Sequence, residues 1–507
     1  MAIIKATASD GSAVMFEDRI IGQGGMKDVY FAPDRSYVVA FFRNKKDADA
    51  NARERLSLIT GTYRERIFDQ TGGEYWKNVF CWPTKMLEHG GRLGLVAPAY
   101  HQHFFFQHGS TDNDSLVLKG KEKEGKWFAS ALHQNRYLDP RERGDWLSYF
   151  RICILTSRAV RRMHAAGLAH SDLSYKNVLV DPCGGHASII DIDGLVVPGK
   201  FPPGVVGTPD FIAPEVLVTQ SLPVGDSRKA LPKRETDQHA LAVLIYMYLL
   251  HRHPLRGRRV HDFDDTQRDE LLAMGEKALF IEHPKDGSNR YDVGWTKKNE
   301  GKRWQYFMPW HDLDKLPYRI LGPYLAPLVV KAFIEGLHKP AMRPTADEWE
   351  SALVKSVDLV QPCQNKSCTQ GWFLFDNSTK PVCPFCGKAY KGQLPVLNLY
   401  FKRSGDRYVP DNHRVMVYHN QYLYQWHVNR NVFPNEKLTE AQKKPVGYFA
   451  FHQGRWCFVN QTLMGMKDVS EKREIRPNTM VALTDGKQIL LSPDEGGRLV
   501  QVQLVGS

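Results

Sequence analysis

The spacing of apolar and polar residues predicts a chain that mixes short strands with helices and ends in a β-rich region. Residues 13–42 alternate apolar and polar positions around a glycine cluster, which is typical of strands joined by tight turns. After Gln393, β-rich runs are separated by Gly, Asn, Asp and Pro, which predicts a small antiparallel β-domain. Helical spacing of apolar positions occurs in five segments: 48–60, 146–163, 236–250, 323–338 and 345–357. The pattern therefore predicts an α+β chain with several folded units.

The composition supports ordered, globular units. Of the 507 residues, 42% are hydrophobic and 24% are charged, which excludes a mainly disordered or fibrous chain. The longest apolar run, Ala240–Leu250, is too short to span a bilayer, and the N-terminus does not resemble a secretory signal. We therefore expect a cytoplasmic protein. The net charge of +12 permits contact with a polyanion, but the basic residues are scattered, which favours solvated surface charge over a nucleic-acid groove.

A first motif contains glycines near the N-terminus. It reads Gly22-Gln-Gly24-Gly25-Met-Lys27-Asp-Val29 and lies between two strand-like runs. Glycines allow a backbone to approach phosphates closely, with successive amides facing the anion. The same residues would also suit a hairpin turn without a ligand, so this motif alone leaves both interpretations open.

A second motif is more specific. His170-Ser171-Asp172 is followed by Asn177 five positions after the aspartate, and Ile189-Ile190-Asp191-Ile192-Asp193-Gly194 comes shortly afterwards. The chain here resembles the eukaryotic-type protein kinases, whose catalytic loop reads H-R-D-x-x-x-x-N and whose metal-binding turn reads D-F-G. Asp191 and Asp193 both lie near the D-F-G aspartate position. Their spacing from Asn177 favours Asp191, with Asp193 at the position that the family usually gives to glycine.

Further motifs of this family follow in the same order. Gly207-Thr208-Pro209 through Ala213-Pro214-Glu215 resembles the segment that closes the activation region. Asp237 resembles the buried aspartate at the start of the family's central helix, and Arg343 resembles the arginine that pairs with the glutamate, here Glu215. The resemblance spans residues 14 to about 355 and implies a bilobal kinase fold.

The resemblance implies roles for three polar residues and one cation. Asp172 would orient the acceptor hydroxyl and receive its proton. Asn177 and Asp191 would hold Mg²⁺, which prefers oxygen ligands, against the phosphates of ATP. Lys176, four residues after Asp172, would supply the charge usually given by the catalytic-loop lysine, because Ser174 stands at that lysine's place.

The lysine that normally grips the α- and β-phosphates is missing from its expected position. The pattern V-A-x-K falls on Val39-Ala40-Phe41-Phe42, so Phe42 replaces this lysine. Either Arg43, through a local bulge, or Lys27, reaching over the phosphates, could supply the cation. Glu54 is the candidate for the ion-pair partner on the following helix, or else a surface carboxylate.

The adenine is expected near Ala97-Pro98-Ala99-Tyr100, which follows an apolar run at the hinge position of the family. The complete set of candidate ATP contacts, including those made through Mg²⁺, is Gly22, Gly24, Gly25, Lys27, Val29, Ala40, Arg43, Glu54, Ala97, Ala99, Asn177 and Asp191.

Four of the eight cysteines predict a metal site. Cys363-x₄-Cys368 and Cys383-Pro-Phe-Cys386-Gly form two short-spaced pairs, which can converge on one tetrahedral Zn²⁺. With four thiolates the site would be closed and structural. The alternative is four reduced cysteines in a loop.

The resulting domain boundaries are a kinase N-lobe at 1–97, a C-lobe with insertions at 98–358, a zinc ribbon at 359–392 and an antiparallel β-sandwich at 393–507. Cys81-Trp-Pro and His253-Pro-Leu-Arg-Gly resemble bacterial kinases associated with tellurite resistance, which carry a C-terminal metal-binding segment. The β-sandwich loosely resembles forkhead-associated domains, which read phosphothreonine, and would dock a partner or a phosphopeptide.

These features predict an ATP- and Mg²⁺-dependent protein kinase, directed to Ser/Thr hydroxyls of a protein substrate or of itself. The alternative is a pseudokinase scaffold that lacks the phosphate-binding lysine and acts through protein binding. Nucleic-acid binding through the C-terminal region is a third hypothesis, which the scattered basic residues do not favour.

Overall fold

The computed structural model describes residues 2–23, 26–44, 48–69, 72–197, 207–223, 225–291, 312–377, 380–404 and 407–506. The chain divides into two compact units. The first comprises Met1–Gly144, Ser148–Tyr318 and Pro327–Glu350, and the second comprises Asp145–Leu147, Arg319–Ala326 and Ser351–Ser507.

The first unit begins with the hairpin β1-β2. An antiparallel five-stranded sheet in the order β3-β4-β5-β7-β6 follows it. A third pair, β8-β9, follows much later in the chain. The strands are β1 Ile3–Thr7, β2 Ala13–Glu17, β3 Ile20–Gln23, β4 Lys27–Phe31, β5 Tyr37–Phe42, β6 Lys85–His89, β7 Arg92–Pro98, β8 Val178–Asp181 and β9 His186–Ile189.

The two faces of the five-stranded sheet have different roles. Val39 and Phe41 on β5 point into a hydrophobic cluster with Val14 and Phe16 of β2. Because successive side chains of a strand alternate, the next residues of β5 face the other side, where Ala40 borders a cavity. The sheet is therefore packed on one face and lines a cavity on the other.

The remainder of the first unit is mainly helical, and its long helices coincide with the segments of predicted helical spacing. The helix Arg234–Leu250 is buried around most of its circumference, which is the environment of a helix that is apolar on all sides. Among the described residues, no helix is both long and apolar enough to cross a bilayer. The helices of both units are α1 Ala50–Leu58, α2 Arg64–Phe68, α3 Gly73–Trp76, α4 Thr111–Asp114, α5 Ala131–Tyr137, α6 Trp146–Ala165, α7 Pro214–Val218, α8 Arg234–Leu250, α9 Thr266–Met274, α10 Gly322–Val330, α11 Ala346–Val357 and α12 Gln425–Val428.

Two buried polar contacts of the first unit fix segments that the sequence motifs singled out. The carboxylate of Asp237, on α8, accepts hydrogen bonds from the backbone of His170 at 2.8 Å and from His164 Nε2 at 3.0 Å. Arg343 donates to both oxygens of Glu215, at 2.8 and 2.7 Å. These contacts anchor the loop before Asp172 and the segment that ends with Glu215.

The second unit contains two larger antiparallel sheets, the two-stranded antiparallel pair β10-β11 and a cysteine-bearing segment. The sheets have the orders β13-β12-β21-β20-β17-β18 and β14-β15-β16-β19, and side chains of both contribute to one hydrophobic cluster. Its strands are β10 Val360–Pro362, β11 Trp372–Leu374, β12 Leu394–Ser404, β13 Arg407–Met416, β14 Tyr422–Leu423, β15 Gly447–His452, β16 Arg455–Asn460, β17 Lys467–Asp468, β18 Arg473–Glu474, β19 Thr479–Ala482, β20 Gln488–Leu490 and β21 Arg498–Val505.

Candidate active site

A cavity of about 600 Å³ lies between the open face of the five-stranded sheet and the turn that contains Asp191. Its volume is within the range of small-molecule sites. Six of the residues predicted to contact ATP line it, from β3, β4, β5, β7 and the Asp191 turn: Gly22, Lys27, Val29, Ala40, Ala97 and Asp191. Gly24 and Gly25, also predicted to contact ATP, lie outside the described residues.

Asp172 and Asn177 are in direct contact. The Asn177 amide nitrogen donates to Asp172 Oδ2 at 2.9 Å and to the Asp172 backbone carbonyl at 2.8 Å. The hydroxyl of Thr208 donates to the other carboxylate oxygen, Oδ1, at 2.9 Å. The Asp172 carboxylate is thus held at both oxygens, while the Asn177 side-chain oxygen stays available as an acceptor or metal ligand.

Asp191 lies beside this loop. The backbone nitrogen of the preceding residue, Ile190, donates to the Asn177 carbonyl at 3.0 Å, and the Ile190 carbonyl contacts His170 Nε2 at 3.0 Å. Asp191 itself has a left-handed backbone, with a φ of 59°. Such a conformation is uncommon for a residue with a side chain and often occurs at functional sites. The structure therefore brings together Asp172, Asn177 and Asp191.

The second carboxylate of the turn changes the electrostatics of the site. The negative charge of Asp193 raises the pKa of Asp191, and burial adds to this effect, while Lys27 opposes it. The Asp191 carboxylate and the Asn177 amide oxygen are hard oxygen donors, which suit Mg²⁺ better than softer metals. The residues present therefore fit the magnesium ion that the resemblance to protein kinases implies.

Lys27 is the positively charged residue beside Asp191 and Asp193. Its ammonium donates to Asp193 Oδ2 and lies 3.7 Å from Asp191 Oδ1, and its side chain is only 16% exposed. Burial alone would lower the pKa of Lys27, but the charges of Asp193 and Asp191 outweigh it, and the pKa is raised. Lys27 is therefore protonated at neutral pH and directed at the carboxylates of the cavity.

The structure does not bring Arg43 or Glu54 to the cavity. Arg43 Nε donates at 2.7 Å to Asp28, which alternates with Lys27 along β4 and therefore lies on the opposite face of the sheet. Glu54 is exposed on α1, and the residue of this helix that packs against Phe42 is Leu56. The helix that was expected to supply an acidic partner instead supplies an apolar one.

Three further residues of the prediction have intermediate positions. The backbone nitrogen of Ala99 donates to the Ser36 carbonyl at 3.2 Å, so this amide is engaged within the protein. Pro98, which lacks an amide hydrogen, lines the cavity beside Ala97. Lys176 is exposed. Burial acts to raise the pKa of Asp210, but the charge of Arg256 outweighs it and lowers the pKa, and the charge of Lys176 adds to this lowering.

Sequence analysis missed residues on one wall of the cavity. Phe105, Gly120 and Glu122 line it, and Phe105 pairs with Glu122 in an antiparallel bridge. The mixed charge of residues 119–126 is typical of an exposed insertion. The structure differs from that interpretation at Lys123, which is buried and pairs with Glu142 at 3.0 Å and with Asp181 at 3.2 Å.

The second unit contains a separate candidate metal site. The sulfur atoms of Cys363, Cys368, Cys383 and Cys386 all lie within 4.8 Å of one another, and the closest pairs are separated by 3.5 and 3.9 Å. Sulfur atoms around a tetrahedral zinc ion, with bonds of about 2.3 Å, are about 3.8 Å apart. The four thiols are therefore arranged so that they could hold one metal ion.

Local hydrogen bonds favour the thiolate form of one of the four cysteines, Cys386, whereas burial raises the pKa of Cys363 and of Cys383. Burial acts to raise the pKa of Cys386, but hydrogen bonds from the Lys388 backbone and Asn365 outweigh it and lower the pKa to about 7. The backbone nitrogen of Asn365 also donates to the sulfur of Cys363 at 3.4 Å. Backbone donors directed at sulfur stabilise the negative charge of a metal-binding thiolate.

Comparison with known proteins agrees with this geometry. Residues 111–348 match the protein kinase domain. Serine/threonine-protein kinase PknD of Chlamydia abortus is 27% identical over 281 residues, covering 48% of this chain and 25% of PknD. A dual serine/threonine and tyrosine protein kinase of Apis mellifera is 31% identical over 218 residues, covering 38% of this chain and 21% of that protein.

The rat Citron rho-interacting kinase is 29% identical over 194 residues, which cover 37% of this chain and 9% of that kinase. The chain thus spans a quarter or less of the length of these three relatives. The region that matches the protein kinase domain, residues 111–348, holds Asp172, Asn177 and Asp191. The matches support an enzyme of this kind.

Proposed function

We propose that the protein transfers the γ-phosphoryl group of ATP to Ser or Thr hydroxyls of a protein, which could be another copy of itself. The observation that carries this proposal is the contact between Asp172 and Asn177, beside Asp191 at the edge of a cavity of about 600 Å³. Phosphoryl transfer depends on positioning and on charge stabilisation, and these residues supply both.

Each residue of this group has a distinct task. Asp172 accepts the proton of the attacking hydroxyl, and its hydrogen bonds to Asn177 and Thr208 fix the direction of its carboxylate. Asn177 and Asp191 would hold Mg²⁺, which would neutralise charge on the phosphates. Lys176 supplies positive charge near the acceptor side of the loop.

The decisive experiment compares Asp172→Asn with the wild-type protein in labelled ATP and Mg²⁺. We expect phosphorylation of the protein itself or of a generic acceptor to fall by about 10²–10⁴-fold, because the proton acceptor is lost. Asp226→Asn is the matched control, since Asp226 lies on an exposed loop and pairs only locally with Arg228. Activity that survives Asp172→Asn unchanged would contradict the proposal.

Serine and threonine are the proposed acceptors for two reasons. Thr208 contacts Asp172, and a threonine in this G-T-P segment is typical of kinases that act on Ser/Thr. Two of the relatives described above carry serine/threonine in their names, although one of them is also named as a tyrosine kinase. Phosphoamino-acid analysis of the product should give phosphoserine or phosphothreonine, and phosphotyrosine alone would contradict this assignment.

The second candidate function is a pseudokinase scaffold, which the replacement of the usual lysine by Phe42 favours. Such a scaffold would bind nucleotide weakly or not at all and would act through its C-terminal region. Titration with ATP distinguishes the two functions: binding that saturates at millimolar ATP or below, together with turnover, supports the kinase. Absence of both supports the scaffold.

For the second unit we propose a structural zinc ribbon at 359–392 and a partner-docking role for residues 393–507. Four cysteine ligands leave no open coordination position, so the zinc would stabilise structure rather than act in catalysis. The two antiparallel sheets and their shared core are compatible with a forkhead-associated-like fold, which would bind a phosphopeptide. Metal analysis should find one zinc per chain.

A further inference from the structure

Two departures from the kinase pattern lie close together in the structure. Phe42 stands where the phosphate-binding lysine is expected, and Asp193 stands where the family usually has glycine. Lys27 contacts both residues, although it is 166 residues away from Asp193 in sequence. These contacts suggest that the two substitutions belong to one arrangement.

The strand register places Lys27 directly opposite Phe42. The two residues are cross-strand partners in the antiparallel pair β4-β5. Opposite partners project from the same face of a sheet, with Cβ atoms about 5 Å apart. A lysine at position 27 therefore projects its ammonium into the same region as a lysine at position 42 would.

The observed side-chain positions agree with this register. The Lys27 ammonium lies 5.2 Å from the centre of the Phe42 ring, a favourable cation–π distance. The same ammonium pairs with Asp193 and lies 3.7 Å from Asp191, the carboxylate assigned to the metal. Lys27 also lines the cavity together with Val29 and Ala40, as a phosphate-binding cation must.

The described surroundings of Phe42 are apolar. Phe42 packs in a buried apolar cluster with Leu56, Leu93 and Leu95. Leu56 comes from α1, the helix that would otherwise supply a glutamate. An apolar contact between β5 and α1 therefore takes the place of the usual contact between opposite charges.

We propose that Lys27 binds the phosphates of ATP and that Asp193 positions its ammonium, so that this pair replaces the lysine–glutamate pair of other kinases. Asp191 remains the metal ligand, while Asp193 holds the cation beside it. This inference rests on the proposed kinase function, but its first test measures nucleotide contact and needs no phosphoryl transfer.

The first test uses an acyl-phosphate derivative of ATP, which transfers its acyl group to a lysine amine next to the phosphates and releases ATP. The full chain is incubated with this reagent and digested, and the modified peptide is identified by mass spectrometry. We expect the label on Lys27 and its loss when excess ATP is present. An ATP-protected label on Lys45, Lys46 or Lys176, with none on Lys27, would overturn the assignment.

The second test compares variants kinetically. Lys27→Ala should lower kcat/KM for ATP by about 100-fold, since it removes a charged donor from the phosphates, and Lys27→Arg should recover part of this loss. Arg43→Ala is the matched comparison, because Arg43 is a neighbouring cation on the opposite sheet face; we expect a change of about twofold or less. A large loss in Arg43→Ala with none in Lys27→Ala would overturn the proposal.

A double-mutant cycle tests the positioning role of Asp193. If Asp193 acts through Lys27, Asp193→Ala lowers kcat/KM in the wild-type background but causes little further loss when Lys27 is already alanine. Thermal melting of each variant verifies that it is folded. Independent, multiplicative losses in folded variants would overturn the positioning role.

The two proposals can fail separately. An ATP-protected label on Lys27 in a protein without phosphotransferase activity would contradict the kinase function and leave the phosphate-binding role of Lys27 intact. Full activity of folded Lys27→Ala would contradict the role of Lys27 and leave the kinase function intact.

Discussion

The cysteine cluster and the carboxylate cavity are both suited to a cation, but they are assembled from the chain in different ways. The four cysteines are contained in a segment whose ends are 23 residues apart. The cavity joins Lys27 to Asp193 across 166 residues, and the neighbouring loop that contains Asp172 contacts Thr208 across 36 residues. Local spacing therefore suffices to suggest the first site, whereas the second depends on the packing of the whole unit.

The comparison also shows which substitutions can be interpreted from sequence. A cysteine replaced in the cluster would remove one of the four thiols that could hold a metal ion. In the cavity, the loss of a lysine at position 42 can be compensated by a residue on another strand, because the register makes Lys27 its neighbour. In a site built from segments that are distant in sequence, the effect of a substitution therefore depends on the residue that lies opposite it on the neighbouring strand.

The largest expected effect is that of metal loss on the cysteine cluster. A strong chelator, or Cys383→Ser with Cys386→Ser, should remove about 10 kcal/mol or more of binding free energy from the folded ribbon. We expect metal content to fall from one zinc per chain to none, and proteolysis to begin within residues 359–392. Cys183→Ser, which removes an exposed cysteine elsewhere, should retain the metal. Full metal content in the double variant would contradict the ribbon.

The next effect compares a long-range ion pair with a local one of similar geometry. Arg343 forms a bidentate pair with Glu215 and is 1% exposed, whereas Arg141 forms one with Asp139 and is 66% exposed. Arg343→Ala should lower the free energy of unfolding by about 3–5 kcal/mol. Arg141→Ala should lower it by less than about 1 kcal/mol. Equal effects in denaturant unfolding would contradict this distinction.

The third effect depends on pH. Burial lowers the pKa of His253 to about 4, although the charge of Asp210 opposes this shift. The Nδ1 of His253 accepts two backbone hydrogen bonds and its Nε2 donates to the Asp210 carbonyl, an arrangement that the neutral ring satisfies. Between pH 6.5 and 4 the unfolded chain binds a proton that the folded protein does not, so stability falls as the pH falls. The difference amounts to about 3 kcal/mol.

His253→Gln provides the control for this pH effect. Glutamine can still donate and accept but does not titrate, so the acid-side decline in unfolding free energy should become shallower by about 3 kcal/mol. Unfolding is measured in denaturant at pH 7, 5.5 and 4 for both proteins. Identical slopes would show that His253 titrates normally in the folded protein.

The smallest effect is expected for Glu54. Glu54→Gln should change the free energy of unfolding by no more than about 0.5 kcal/mol and ATP turnover by no more than about twofold, because the residue is exposed and does not line the cavity. A loss comparable with that of Lys27→Ala would show that α1 supplies an ion-pair partner after all.

Much of the helical framework and the central polar group could be predicted from sequence. The apolar spacing of 146–163 and 236–250 corresponds to the helices Trp146–Ala165 and Arg234–Leu250. Asp172, Asn177 and Asp191 come together because they flank one short β-hairpin, Val178–Ile189, whose formation depends mainly on local residues. The cysteine cluster has the same local character.

The source of the phosphate-binding charge could not be predicted, since it depends on which face of a strand each residue occupies. Arg43 and Lys27 are both cations near Phe42, but only the register of β4 and β5 separates them. Glu54 is two positions from Leu56 on α1, and a rotation of the helix decides which of them meets the sheet. The burial of Lys123 within the charged stretch 119–126 could not be predicted either, because its partners Glu142 and Asp181 are distant in sequence.

The proline at the end of β7 has a consequence for base binding. Pro98 offers no N–H at the cavity wall, its carbonyl already accepts a hydrogen bond from the Cys81 thiol at 3.4 Å, and the next amide, that of Ala99, is bonded to Ser36. A base bound in the cavity would therefore find no unengaged backbone N–H at Pro98 or Ala99.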